Sequence, residues 1–262
     1  MPGARRRLVA AGLVGLVLLA AAAQVPAQGT LEGLRRGFQS QVAFNRGRAL
    51  YEAGDYLAAR ERLTEAVTLE PDHDEARALL GWTQYRLGEH RAAIITFKAA
   101  LRRQPTWEGL WNGIGWSRLR LGRYHLASEA FRIALDQNPE YGDAMIGLGS
   151  AQFELGRYDA ALPPLQTVLG RLTPLAGQEP AELPGVRAKM AWSLYYLGRY
   201  REALALFEQG IRATPEWHGL YNGVGWCYLK LGDRARARSA FERALALKPD
   251  YDDAREGLRQ AG

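Results

Sequence analysis

From residue 40 to the C-terminus, apolar positions recur every three or four residues within stretches of about 13, the spacing of one helix face. Phe131, Ala134 and Leu135 make one such run. Alternate stretches close on a glycine (Gly54, Gly88, Gly122, Gly156, Gly198, Gly232), where a left-handed residue ends a helix at least cost. The stretches between them close near a proline, which cannot continue a helix. Pro71, Pro105 and Pro139 stand 34 apart, as do Pro215 and Pro249. The pattern predicts an all-helical chain of helix-turn-helix units.

Other columns keep the same phase. Small residues recur at Gly47, Gly81, Gly115, Gly149, Ala191 and Gly225, and again at Ala59, Ala93, Ala127, Ala161, Ala203 and Ala237. Four residues after the second set come Leu63, Phe97, Phe131, Leu165, Phe207 and Phe241, followed by Ala66, Ala100, Ala134, Val168, Gly210 and Ala244. Small residues on both helices let the axes approach, and the Phe or Leu fills the space beside them. Such a hairpin cannot bury its apolar faces alone, so neighbours must stack.

Two departures break the period. Pro139 to Pro215 is 76 residues, two periods plus eight. The excess falls at residues 175–183, after a unit that carries Pro163-Pro164 early in its second helix, although proline is tolerated best in a first turn. A loop is expected there; stacking either changes across it or continues past a bulged connection. The other departure is a longer repeat: PTWEGLWNGIGWSRLRL at 105–121 returns as PEWHGLYNGVGWCYLKL at 215–231, and the same offset of 110 relates Trp82 to Trp192 and Tyr85 to Tyr195. Three units and the insertion are read as a duplication.

These columns resemble the small–small–aromatic–small–proline signature of the tetratricopeptide repeat family, with Trp111 at its early tryptophan position. The resemblance spans 40–251 and implies a right-handed α-solenoid of about six repeats: 40–174 as repeats 1–4, 184–251 as repeats 5–6, and a capping helix at 252–262. It also implies a binding scaffold whose first helices line a concave groove. The position after the first small column would face that groove: Arg48, Trp82, Trp116, Ser150, Trp192, Trp226. Three residues on come Tyr51, Tyr85, Leu119, Phe153, Tyr195 and Leu229. Asn112 and Asn222 precede two of the tryptophans by four and share their helix face. Arg86, Arg120 and Lys230 stand at the rim. The unit junctions carry Trp107, Tyr141, Trp217 and Tyr251, read as wedges between repeats. The Lys/Asn/Arg clamp with which some family members hold a C-terminal carboxylate is absent, because the corresponding places hold Trp, Ala, Ile or Ser.

The first 27 residues do not follow the period. Arg5–Arg7, an uncharged apolar run from Leu8 to Ala23 and Val25-Pro26-Ala27 have the three parts of an export signal, with the cut expected after Ala27 and a lead-in at 28–39. The sixteen-residue run is shorter than the roughly 20 residues of a membrane span. The chain is therefore read as exported, periplasmic or secreted, with no stable membrane span after cleavage. The alternative is an uncleaved N-terminal anchor. The whole chain of 262 residues carries +6, and losing Arg5–Arg7 with no acidic residue leaves +3. That charge is spread along the repeats, 30 Arg to 4 Lys, without a basic run, so nucleic acid is not an expected partner.

Catalytic and metal chemistry find no residues to carry them. Cys227 is the single cysteine, and His73, His90, His125 and His218 are far apart in sequence. The pairs Gly113/Gly115, Gly147/Gly149 and Gly223/Gly225 lack the third glycine and the preceding strand of a dinucleotide site, and helix packing explains them. No cofactor and no enzyme activity are expected. Two ligand classes remain for the aromatic surface. One is an extended peptide or partner protein, bonded through Asn112 and Asn222. The alternative is a glycan stacked on the tryptophans, in a polysaccharide-export or envelope accessory role.

Overall fold

A computed structural model describes residues 26–171 and 183–262. The leader read at 1–27 and the insertion read at 175–183 lie outside the described residues, apart from Pro26, Ala27 and Leu183. The described residues form thirteen helices and no strand. In order these are α1 (Pro26–Glu52), α2 (Tyr56–Leu69), α3 (Asp74–Arg86), α4 (His90–Leu101), α5 (Glu108–Arg120), α6 (Tyr124–Gln137) and α7 (Gly142–Glu154). There follow α8 (Tyr158–Arg171), α9 (Leu183–Tyr196), α10 (Tyr200–Ala213), α11 (His218–Lys230), α12 (Arg234–Leu247) and α13 (Asp252–Ala261). The architecture is an all-α helical-repeat solenoid. The stretch 28–39, read as a lead-in, is itself helical and continuous with α1.

The punctuation acts as the period requires. Gly88 ends α3 at φ +79°, and the next N–H, of Glu89, reaches back to the carbonyl of Gln84 at 2.8 Å. At the other end of a hairpin, Glu70, Asn138 and Lys248 leave the helix in extended conformation because a proline follows each of them. Pro163 and Pro164 sit inside α8, at its sixth and seventh residues, deeper than a first turn. They deprive the carbonyls of Asp159 and Ala160 of their helical donors, a loss placed where both residues are exposed and solvent can take it up.

The described residues divide between Gln104 and Pro105 into two compact units. In the first, α1 to α3 enclose Phe44, Leu63, Ala59, Ala66, Ala76 and Leu80. In the second, Leu162, Leu165 and Val168 of α8 share one core with Val186, Met190 and Leu194 of α9. Stacking therefore continues from one side of the insertion to the other. The phenylalanine column is fully buried, and the reason lies in its glycines. A Cβ on Gly115 would sit 2.6 Å from the Phe131 ring and one on Gly147 2.3 Å from it, so the ring is held between two bare helix backbones. Phe241 is held the same way between Gly225 of α11 and Gly257 of α13. The helix α13 thus packs on the Phe241 ring, with Asp252, Arg255 and Arg259 exposed and Asp253, also exposed, turned toward α11.

Gly147→Ala is expected to lower stability by about 1–3 kcal/mol, the usual cost of overpacking a filled site. Gly170→Ala meets nothing within 4 Å and is expected to be neutral or stabilising by up to about 1 kcal/mol. Urea denaturation followed by circular dichroism compares the two.

Candidate functional site

Asn112 lies one turn before Trp116 on α5, and α7 brings Asp143 across to both. Asn112 is fully buried; its Nδ2 donates to Asp143 Oδ2 at 2.6 Å and toward the Tyr141 hydroxyl at 3.4 Å. Trp116 Nε1 donates to the same Oδ2 at 3.0 Å. Tyr141 caps α7 and Asp143 stands in its first turn, where a carboxylate is favoured by the helix dipole. The arrangement recurs 110 residues on. Asn222 donates to Asp253 at 2.6 Å and to the Tyr251 hydroxyl at 3.5 Å, and Trp226 Nε1 donates to Asp253 at 3.2 Å. Each tryptophan meets its phenylalanine edge-on at 5.4 Å and 76°, Trp116 on Phe131 and Trp226 on Phe241. Each Asp uses one oxygen for both bonds, and its Oδ1 makes none among the described residues.

This corrects the role read for the asparagines. Their amide N–H groups are committed to Asp143 and Asp253, and with no surface exposed they do not reach a ligand. They position the carboxylate and the indole instead. The wedge residues Tyr141 and Tyr251 belong to the same networks, and burial raises the pKa of both hydroxyls, with Asp143 and Asp253 adding to the shift.

Trp192, Tyr195 and Trp226 do come together. With Phe153, Tyr196 and Asp253 they line a cavity of about 420 Å³. Trp192 stands edge-on to Tyr195 at 5.5 Å and to Phe207 at 5.2 Å. Tyr196 stacks flat on Tyr158, centroids 4.5 Å apart, yet keeps 53 % of its surface exposed. Burial pushes the Tyr195 hydroxyl up to about 12 and raises that of Tyr196, so both are neutral at physiological pH.

The remaining expected residues are placed as follows. In the first unit Trp82 is edge-on to Tyr85 at 5.7 Å and to Phe97 at 5.4 Å, and the Arg86 guanidinium lies 4.5 Å over the Tyr56 ring. Arg120 and Lys230 are exposed at the ends of α5 and α11. His218 packs edge-on against Tyr251 at 4.7 Å. Sequence reasoning missed Asp143, Asp253 and Tyr196. The offset of 110 also relates PEYGD at 139–143 to PDYDD at 249–253, and that pairing was the available signal for the two carboxylates.

No group of three metal-ligating side chains occurs among the described residues, and no described helix is long and apolar enough to cross a membrane. Comparison with known proteins agrees with the repeat geometry. A family profile described as tetratricopeptide repeat matches residues 44–106, 112–176, 189–252 and 224–261. The Hsp70-Hsp90 organizing protein of Triticum aestivum is 38 % identical over 69 residues, which is 26 % of this chain and 12 % of that protein. The chain spans about a tenth of the length of the curated relatives it matches. Among solved structures, Pseudomonas aeruginosa PilF superposes with a TM-score of 0.70 at 18 % identity, covering 86 % of this chain and 99 % of that one. YrrB, described as having an unusual peptide-binding site, gives 0.64 at 20 % identity over 75 % of this chain and 97 % of its own. At these identities the structures speak for the fold alone.

Asp143→Ala strands the buried Asn112 amide and is expected to cost about 1–3 kcal/mol in thermal or urea unfolding, whereas Asp143→Asn keeps an accepting oxygen and costs less. Cys227 is buried, and burial pushes its thiol from 9.0 up to about 12. It ionises first in the unfolded chain, so stability is full below pH 9 and falls as pH rises from 9 toward 12. A thiol reagent at neutral pH is expected to label the protein only after denaturation.

Proposed function

The chain belongs to the tetratricopeptide repeat family, and from that premise we propose a non-enzymatic scaffold that grips an extended peptide segment of a partner protein outside the cytoplasm. The aromatic cavity of the second unit carries the reading. Packing accounts for the inner edges of Trp192 and Trp226, which lean on Phe207 and Phe241. It does not account for their outward faces, joined by Phe153, Tyr195 and a half-exposed Tyr196 around about 420 Å³ of open space. That volume lies in the range of ligand pockets, and rigid aromatic anchors are the side chains on which binding energy concentrates.

The peptide class is favoured because members of this family act through protein–protein contacts and because a structural neighbour, YrrB, is described as having a peptide-binding site. Arg5–Arg7, the apolar run to Ala23 and the small residues up to Ala27 support export. A cut after Ala27 would fall in the first turn of α1, leaving the rest of that helix whole.

Pull-down with the mature protein from the exported fraction identifies the partner, and isothermal titration of a Trp192→Ala/Trp226→Ala variant against it tests the surface. The expected loss is about 30-fold or more, the effect of removing a hot spot. Unchanged affinity overturns the groove, and recovery of the protein solely in the cytoplasm with residues 1–27 intact overturns export.

A further inference from the structure

The cavity has a chemical preference that its shape alone does not express. Five of its six lining residues are aromatic and the sixth is Asp253. With Tyr195 and Tyr196 neutral, the Asp253 carboxylate is the formal charge of the lining. Its placement is fixed from below: Oδ2 takes hydrogen bonds from the buried Asn222 at 2.6 Å and from Trp226 Nε1 at 3.2 Å. Oδ1 is left without a partner among the described residues, and Asp253 is exposed. Lys189, whose ammonium lies 5.1 Å over the lining Phe153 ring, is paired with Glu154 at 3.7 Å.

A fixed negative charge ringed by π-faces is the environment that stabilises an organic cation and repels an anion. Ring faces attract cations through their quadrupole, more strongly where water is displaced, and the carboxylate adds a directional ion pair. The same feature disfavours an acidic ligand, because a second carboxylate would meet Asp253 with no cation from the cavity between them.

We propose that the cavity formed by Trp192, Tyr195, Tyr196 and Trp226 around Asp253 is a specificity pocket for a basic side chain, Lys or Arg, of the partner's extended segment. The proposal rests on the groove reading above and names what that groove selects. The ammonium or guanidinium bonds to Asp253 Oδ1 while its aliphatic stem lies along the rings, as long basic side chains do on apolar surfaces. Asn222 is a positioning residue: it touches the carboxylate and not the ligand.

Capped Gly/Ser octapeptides that differ at one central residue (Arg, Lys, Gln or Glu) provide the test, with binding followed by tryptophan fluorescence and isothermal titration. Arg and Lys peptides are expected to bind roughly tenfold tighter than Gln, and Glu to bind weakest. Asp253→Asn keeps an oxygen for Asn222 and Trp226 and is expected to bring the Arg and Lys peptides down to the Gln level. Tyr196→Ala removes a half-exposed ring that also stacks on Tyr158, and is expected to weaken the Arg peptide with a slightly lowered melting temperature and intact helical circular dichroism, so the proposal is exposed to failure even if Asp253→Asn does not fold. Peptides bound alike whatever their central charge overturn the proposal and leave the groove standing. Absence of binding by every peptide at millimolar concentration overturns it as well, and the partner titration then decides the groove on its own. Tetramethylammonium chloride alone binding as tightly as the Arg peptide overturns the assignment to a peptide side chain in favour of a free small cation.

Discussion

A phenylalanine ring pinned between two glycines sets the dimensions of this array. Phe131 lies against Gly115 on its own hairpin partner and against Gly147 on the next hairpin, and Phe241 lies likewise between Gly225 and Gly257. A single added carbon at any of the four would come within 2.2–2.6 Å of a ring atom. Helix separation within a hairpin and stacking between hairpins are therefore decided by one side chain at once. Where Leu165 takes the place of the ring, Gly149 still yields the space, with a hypothetical Cβ 2.5 Å away. Interior packing of this density leaves little room for substitution.

The outward chemistry hangs on that interior contact. Each groove tryptophan of the second unit follows the small-residue column by one position, so the ring that meets the small residue also buttresses the indole edge-on. At Trp116 and Trp226 an asparagine one turn earlier and an aspartate from two helices further on then lock the indole N–H. Three consecutive helices thereby contribute to one rigid surface element: the first holds the indole, the second supplies the ring, and the third supplies the carboxylate. Trp192 lacks this lock, since Ala188 stands where Asn would be, and it is held by Phe207 and Tyr195 instead.

Period and punctuation made most of the fold legible. Glycines and prolines bound the helices because they act through the local backbone, and a residue's local conformation depends little on what lies far along the chain. The small and aromatic columns were legible for a related reason: stacking repeats the same contact, so its residues recur in phase. The candidate site was only half legible. Tryptophans stand out by size, whereas Asp143 and Asp253 are single acidic residues in helix first turns, where acids are ordinary. Their significance arises from partners 27 and 31 residues away, a relation no local pattern carries. Asn112 and Asn222 were read as ligand contacts because they share the tryptophan face; burial beneath that face makes them supports. Pro163 and Pro164 were legible as prolines early in a second helix, and the packing of Leu162, Leu165 and Val168 holds that helix together past its first turn.

The last helix has a double occupation. α13 covers the Phe241 ring and also delivers Asp253 to the cavity. Cover for a core ring and ligand-facing charge thus reside in ten residues. Every cavity residue except Phe153 lies in α9 to α13, while Tyr196 of α9 leans back on Tyr158 of α8. A substitution that loosens α13 from Phe241 therefore also displaces the carboxylate, so the cavity holds its charge only as firmly as that helix holds its ring.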